Sequence, residues 1–292
     1  MSYKRTITRL LDRPGGRWLL GKIATPYLRK ALGADLDVAY GNGLWTHRMG
    51  SSFFPDGRKF ESVYSNLFLW KTQAQEYVSQ TADFWLKHYA PKEGDVIVDV
   101  GAGRGEDILT FSRAVGNTGR VIAIEANPLS FAMLRTFCLL NGMTNVTALH
   151  VAVMDGPGTV RLLEDEYSWT QDSIVRGDES MGAEVQATTL EKIWRQEGLS
   201  EVAFLKMNIE GGERYALLGI KSVLPYINQL CVACHDFRAD NGNGEQFRTR
   251  SFVQDFLASE GFFVTSNPDD PRDYVRDHLF ATKGCECLSS GA

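Results

Sequence analysis

From Gly94 onward, short apolar runs alternate with stretches whose apolar positions recur at helical spacing. Strands are predicted over 96–100, 120–124, 145–153, 202–207 and 229–234. Helices are predicted between them over 107–115, 128–140, 190–196, 213–224 and 250–259. Two further strands, 262–265 and 279–282, close the series. Repeated βα units of this kind predict a doubly wound, mostly parallel seven-stranded α/β sheet. In such a sheet ligands bind beyond the carboxyl ends of the strands, where the strand order reverses.

The first ninety residues follow another pattern. Residues 1–36 read as basic helical turns broken at Pro14-Gly15-Gly16 and at Pro26. Twelve of the 32 aromatic residues fall between Tyr40 and Tyr89. Turn signals at Gly41-Asn42-Gly43 and Pro55-Asp56-Gly57 flank short strand-like runs. Leu67, Trp70, Ala74, Tyr77, Val78, Thr81, Trp85 and His88 then keep helical spacing. Most of these aromatics are expected in the core, a minority in a lid or a subunit contact. The chain thus divides into an accessory segment (1–90), a ligand-binding domain (91–283) and a short tail (284–292).

Composition changes this picture little. A hydrophobic share of 43% and a charged share of 23% are ordinary for a globular chain. The net charge of −5 gives no case for nucleic acid. Residues 1–30 nevertheless carry eight Lys or Arg (Lys4, Arg5, Arg9, Arg13, Arg17, Lys22, Arg29, Lys30) against Asp12 alone, leaving the remainder near −12. A solvated basic face is the expected reading, with an anionic substrate, a membrane surface or a second subunit as alternatives, a homodimer among them. No apolar run suits a signal peptide or a membrane span, so a cytoplasmic protein is expected. Cys231 and Cys234 lie i, i+3 on a strand and face opposite ways, which suits neither a metal nor a redox pair.

The turn after the first strand reads Asp99-Val-Gly101-Ala-Gly103-Arg-Gly105-Glu106. Glycines there let the backbone turn sharply and approach a ligand. Glu125 ends the next strand, followed by Ala126, at the distance where a carboxylate accepts both hydroxyls of an adenosine ribose. A dinucleotide site would want glycine at position 106, whereas Glu106 repels a pyrophosphate. It suits the cationic end of S-adenosylmethionine instead. Asp99, Gly101, Gly103, Gly105, Glu125, Ala126 and Asn208 are therefore the candidate cofactor residues. Asp155, after the third strand, is either a partner for the adenine amine or a turn residue in Asp155-Gly-Pro-Gly158.

Chemistry is expected at the ends of the fourth and fifth strands, Lys206-Met-Asn208-Ile-Glu210-Gly-Gly-Glu213 and His235-Asp236. Methyl transfer needs an oriented nucleophile and, for a hydroxyl, a group to take its proton. His235 is the candidate base, with Glu210, Asp236 and Asn208 beside it. Glu213 reads as a first-turn helix acid. Alternatively Asn208, His235 and Asp236 hold a divalent cation that acidifies the hydroxyl.

The order Asp99-Val-Gly-Ala-Gly103, Glu125-Ala-Asn-Pro128, Leu139-Leu-Asn141, Thr189-Leu190 and Leu205-Lys-Met-Asn-Ile-Glu-Gly-Gly-Glu213 resembles the FkbM-type methyltransferases over roughly residues 64–283. The resemblance implies a class I, Rossmann-like S-adenosylmethionine-dependent O-methyltransferase. The implied acceptor is a hydroxyl of a natural product or sugar. Two positions depart from the family pattern. Asn208 stands where an acid is usual, and Ala233 replaces the first acid of Glu-x-His while Asp236 is added. The polar stretch 164–184, with Tyr167, Ser168, Trp169 and Asp172, reads as a lid over the site or as a surface insertion.

Overall fold

The computed structural model describes residues 8–163, 173–175 and 183–284. The chain opens with helix α1 (Arg17–Leu32) and an antiparallel meander of β1 (Leu36–Gly41), β2 (Leu44–Met49) and β3 (Ser52–Gly57). Pro26 lies inside α1 and does not break it as expected from the sequence. Its ring removes one amide donor, but both Pro26 and Lys22, four residues before it, lie on the exposed side of the helix. The inner face of α1 buries Leu20, Ala24 and Leu28 against Leu36, Val38, Trp45 and Phe60.

The expected long helix across 67–88 is also interrupted. A short α2 (Phe60–Tyr64) runs into a π-turn (Ser65–Leu69), and α3 begins only at Ala74 and ends at Phe84. Lys71 sits between them in the left-handed region (φ 47°), which ends one helix before the next begins. The break places Trp70 and Thr72 at a cavity wall instead of on a helix face.

The main sheet has seven strands in the order β13-β14-β12-β11-β4-β5-β6. These are β4 (Val96–Val100), β5 (Arg120–Glu125), β6 (Val146–His150), β11 (Val202–Met207), β12 (Ile227–Ala233), β13 (Phe262–Ser266) and β14 (His278–Lys283). The first five of these are parallel, and β14 enters antiparallel between β12 and β13. Helices α4 (Ile108–Val115) and α5 (Pro128–Leu140) follow β4 and β5. Helices α6 (Leu190–Gln196), α7 (Glu213–Leu218), α8 (Asp236–Asp240), α9 (Arg250–Ser259) and α10 (Asp273–Arg276) complete the chain.

Two-residue periodicity divides each strand between two cores. Val98, Val100, Leu205 and Met207 pack with Leu190, Leu217, Val253 and Leu257 on one face. Ile97 and Phe204 pack with Ile108, Phe111, Val115 and Leu134 on the other. The meander is tied to this body through Asn141, whose amide accepts from Phe53 N (3.0 Å) and donates to Phe53 O (2.8 Å).

The third strand differs from expectation. It ends at His150, and β7 (Ala152–Val153) leaves the main sheet for a second one, ordered β7-β10-β8-β9. The partners are β8 (Gly158–Leu163), β9 (Ser173–Val175) and β10 (Ala183–Thr188). Apolar content alone reads straight through this break, because Val151 is apolar whichever sheet it serves. The remainder of the suspected lid (164–172 and 176–182) and the tail from residue 285 lie outside the described residues.

Candidate active site

Strand order reverses between β4 and β11, and a cavity of about 340 Å³ opens at their carboxyl ends. Its floor is the glycine turn Gly101–Asp107, its sides Ile124–Asn127, Val151–Val153 and Asn208–Glu210, and its aromatic wall Trp70, Tyr77, Phe84 and Trp85. Gly101 (φ 82°) can be nothing but glycine, since a Cβ there would stand 1.9 Å from Asn208 O. The two strand ends are thereby pressed together at the switch point. Gly103 N donates to Glu125 Oε2 (2.8 Å), and Asn127 N donates to Glu125 Oε1 (2.7 Å). Asn127 then caps α5, accepting from Leu129 N and Ser130 N, both at 2.8 Å.

Three cofactor candidates fall elsewhere. Gly105 (φ 102°) faces α5, where an added Cβ would meet the Phe137 ring at 2.7 Å, so its smallness serves packing. Asp155 is exposed and outside the cavity lining. Asp99 is fully buried behind the glycine turn. It is the register partner of Lys206 on the adjacent strand, and both side chains point to the same face. Lys206 Nζ lies 2.9 Å from Asp99 Oδ1 and 3.1 Å from Asp107 Oδ2, and donates to Gly101 O at 3.0 Å. Burial pushes the Asp99 carboxyl up against the pull of Lys206. Burial would lower the Lys206 ammonium, but Asp99 and Asp107 outweigh it and hold it charged. Trp85 covers this ammonium, 4.8 Å from Nζ to the ring centre.

The catalytic candidates also separate. His235 is 4% exposed, behind the cavity wall. Its Nδ1 donates to Glu213 Oε1 (2.9 Å) and its Nε2 stands 3.2 Å from Glu210 Oε1. Burial opposes a charge on this ring, yet the two carboxylates raise it to about 10. His235 thus has both ring nitrogens facing carboxylates and does not line the cavity. Glu210 lies on the cavity wall, in the left-handed region (φ 50°) at the strand tip. Its Oε2 also accepts from Arg238 Nη1 (2.6 Å). Burial alone would raise its carboxyl, but His235 and Arg238 hold it below the usual range. A non-glycine residue held at positive φ by such a network is the kind of strain found at working sites.

Asp236 turns away. Its Oδ2 accepts from Thr249 N and Arg250 N, both at 2.9 Å, and so closes the N-terminus of α9. It therefore does not meet His235 and Asn208, and the alternative cation site is not assembled by these three. Among the described residues no cluster of three His, Cys, Asp or Glu has the geometry to hold a metal ion. Asn208 does line the cavity, its backbone N donating to Val100 O (2.9 Å).

Several site residues carried little sequence signal. Lys206 was visible as a cation inside an apolar strand, a position that requires partners. Arg104 and Asn66 were not. Arg104 Nη1 donates to Asn66 Oδ1 (2.7 Å), and its Nε binds Glu106. Glu106 therefore serves first to neutralise Arg104. Asn66 also donates to Asp56 Oδ1 (3.0 Å), which lies 2.8 Å from His47 Nδ1, while His47 Nε2 meets Thr72 O at 2.9 Å. A buried polar chain thus runs from the N-terminal meander into the glycine turn.

A seven-stranded sheet of this order, with a glycine turn and the acid Glu125 at the switch point, defines a class I methyltransferase fold. The family model of the methyltransferase FkbM domain matches residues 99–264, and the chain belongs to that family of S-adenosylmethionine-dependent methyltransferases. Among solved structures it is similar to methyltransferase FkbM from Methylobacillus flagellatus KT at 14% identity and a TM-score of 0.47, covering 75% of this chain and 53% of that one. The chain thus accounts for about half of that protein's length. It is also similar to Aeropyrum pernix fibrillarin with bound S-adenosyl-L-methionine (12% identity, 85% and 100% covered, TM-score 0.43). A third is an S-adenosylmethionine-dependent O-methyltransferase from Thermotoga maritima (17% identity, 76% and 71% covered, TM-score 0.38). No curated protein matches the chain.

Proposed function

We propose that the protein methylates a hydroxyl of a small molecule, a natural product or sugar, with Glu210 orienting that hydroxyl and taking its proton. The observation that carries this reading is the placement of Glu210, the carboxylate at the tip of β11 that faces the cavity with His235 and Arg238 behind it.

The residues fit S-adenosylmethionine by their donor chemistry. Glu125 presents a carboxylate suited to ribose hydroxyls, Val151–Val153 an apolar edge for adenine, and Gly101–Gly103 a cavity floor of small residues that leaves room for the amino-acid end. When bound, S-adenosylmethionine supplies a methyl on a cationic sulfur, whose C–S bond breaks as the acceptor oxygen attacks. The attacking oxygen becomes strongly acidic as its new bond to carbon forms. A carboxylate with a depressed pKa is therefore basic enough to remove its proton. His235 and Arg238 keep Glu210 ionised and fix both its oxygens, so the acceptor meets a preorganised partner. His235 acts here as a positioning residue.

Calorimetric titration with S-adenosylmethionine, followed by a screen of hydroxylated metabolites with labelled methyl donor, tests the reading. Binding of the donor and label on oxygen are expected. Absence of donor binding, or label found only on nitrogen, would overturn it.

A further inference from the structure

Phe247 ends a short 3-10 turn (Glu245–Phe247) in the loop between α8 and α9. That loop is exposed from Asp240 to Gln246, apart from the half-buried Gly244, yet Phe247 is only 2% exposed. Its contacts account for the inward turn. The Arg238 guanidinium lies over the ring, 3.9 Å from its centre. The ring edge lies beside Gly211, where an added Cβ would come within 3.1 Å of Phe247 Cδ1. Gly211 directly follows Glu210 at the tip of β11. One ring thus meets both the backbone beside Glu210 and the cation on its carboxylate.

Arg238 Nη1 donates to Glu210 Oε2 at 2.6 Å, so the guanidinium is held between a carboxylate and an aromatic ring. The Arg238 side chain is 12% exposed. Little water reaches it, and neither attraction is much screened. The loop itself is pinned at both ends. Asn243 N donates to Arg238 O (2.9 Å), and Asp236 Oδ2 accepts from Thr249 N (2.9 Å). Arg238 and Phe247 therefore belong to one closed loop that meets the active site only through this stack.

We propose that Phe247 is a positioning residue for the active site: its ring clamps Arg238 against Glu210 and so fixes that carboxylate at the cavity wall. Leucine would fill much of the same space but offers the cation no π face. Without the clamp Arg238 regains the rotamer freedom to leave Glu210 for solvent. Burial opposes the charge on Glu210, and His235 and Arg238 together outweigh it. Loosening Arg238 therefore makes the carboxyl a weaker acid. The consequence for methyl transfer rests on the reading of Glu210 as the group that takes the acceptor's proton, whereas the clamp itself does not.

NMR titration of isotope-labelled glutamate carboxyls in the full chain tests it, with the Glu210 signal assigned by its loss in Glu210→Gln. In Phe247→Leu the Glu210 carboxyl is expected to bind its proton about tenfold more tightly than in the parent. Arg238→Gln should shift it at least as far. The double variant should go no further than Arg238→Gln alone, because Phe247 acts through Arg238. Loss of packing alone would lower the thermal midpoint and leave the Glu210 titration of the folded protein in place. Phe247→Met, which keeps a long apolar side chain, carries the same comparison where Phe247→Leu does not fold. A Glu210 titration unchanged by loss of the ring, or a double variant in which the two shifts add, overturns the proposal. The titration is read without turnover, so it decides the clamp even where Glu210→Gln keeps full activity and the reading of Glu210 falls.

Discussion

His235 and Glu213 form a buried ion pair, Nδ1 to Oε1 at 2.9 Å, between the ends of β12 and α7. Because the ring's pKa is raised to about 10 from an ordinary value near 6.5, folding favours its protonated form. The sign follows from linkage. The contribution is fully present below about pH 6.5 and is lost as pH rises through about 10. Urea denaturation from pH 6 to pH 10 should show a falling alkaline limb. His235→Gln should flatten that limb and cost about 3 kcal/mol at neutral pH, because Glu213 stays buried without its cation. An unchanged limb in the variant would place the titration elsewhere.

Glu210→Gln keeps the shape of the cavity wall but removes the carboxylate proposed to take the acceptor's proton. Turnover should fall by about 10²–10³-fold while the affinity for S-adenosylmethionine stays within a few-fold. Steady-state kinetics beside calorimetry separates the two effects. Equal loss of affinity and turnover would make Glu210 a cofactor ligand.

Two glycines of one turn should behave differently. Gly101→Ala puts a Cβ against Asn208 O at 1.9 Å and should leave little folded protein. Gly105→Ala meets side chains instead of backbone, the Phe137 ring at 2.7 Å and Leu134 Cδ1 at 3.2 Å. Its left-handed strain and the ring's displacement together cost about 2–3 kcal/mol, read as a lowered thermal midpoint. The folded fraction should still bind S-adenosylmethionine.

Asn66→Ala strips the buried Arg104 guanidinium of its partner in the N-terminal segment. A loss of about 1–3 kcal/mol is expected from the unsatisfied donor. Arg104 lines the cavity at the glycine turn, so on the proposed reading the Kd for S-adenosylmethionine should rise as well. A destabilised variant with unchanged Kd would limit the chain of polar contacts to stability.

Lys206→Met should be worse than removal of any surface cation. It leaves Asp99 and Asp107 facing each other without the ammonium that both approach. A cost of about 3–5 kcal/mol follows for breaking a buried ion cluster. Chemical denaturation of Lys206→Met beside Lys221→Met, whose partner Glu260 lies at the surface, provides the comparison.

The sheet follows from periodicity. Strands that are buried on both faces must be apolar throughout, and helices between them must be apolar on one side, so β4, β5, β11 and β12 and the helices α4, α5 and α9 were legible from periodicity. The glycine turn and Glu125 were legible for the same local reason, since each lies within a few residues of a strand end. Where the polar side chains at the strand ends point follows from tertiary contacts. His235 and Asp236 are neighbours in sequence, yet one faces Glu210 and Glu213 and the other caps α9. Local pattern carries no direction for a side chain at a strand end, where neither helical nor strand periodicity applies. Asn66 and Arg104, 38 positions apart, meet where the N-terminal segment packs against the glycine turn. Contacts of that kind depend on which long-range packing wins, and no local pattern of polar and apolar residues records it.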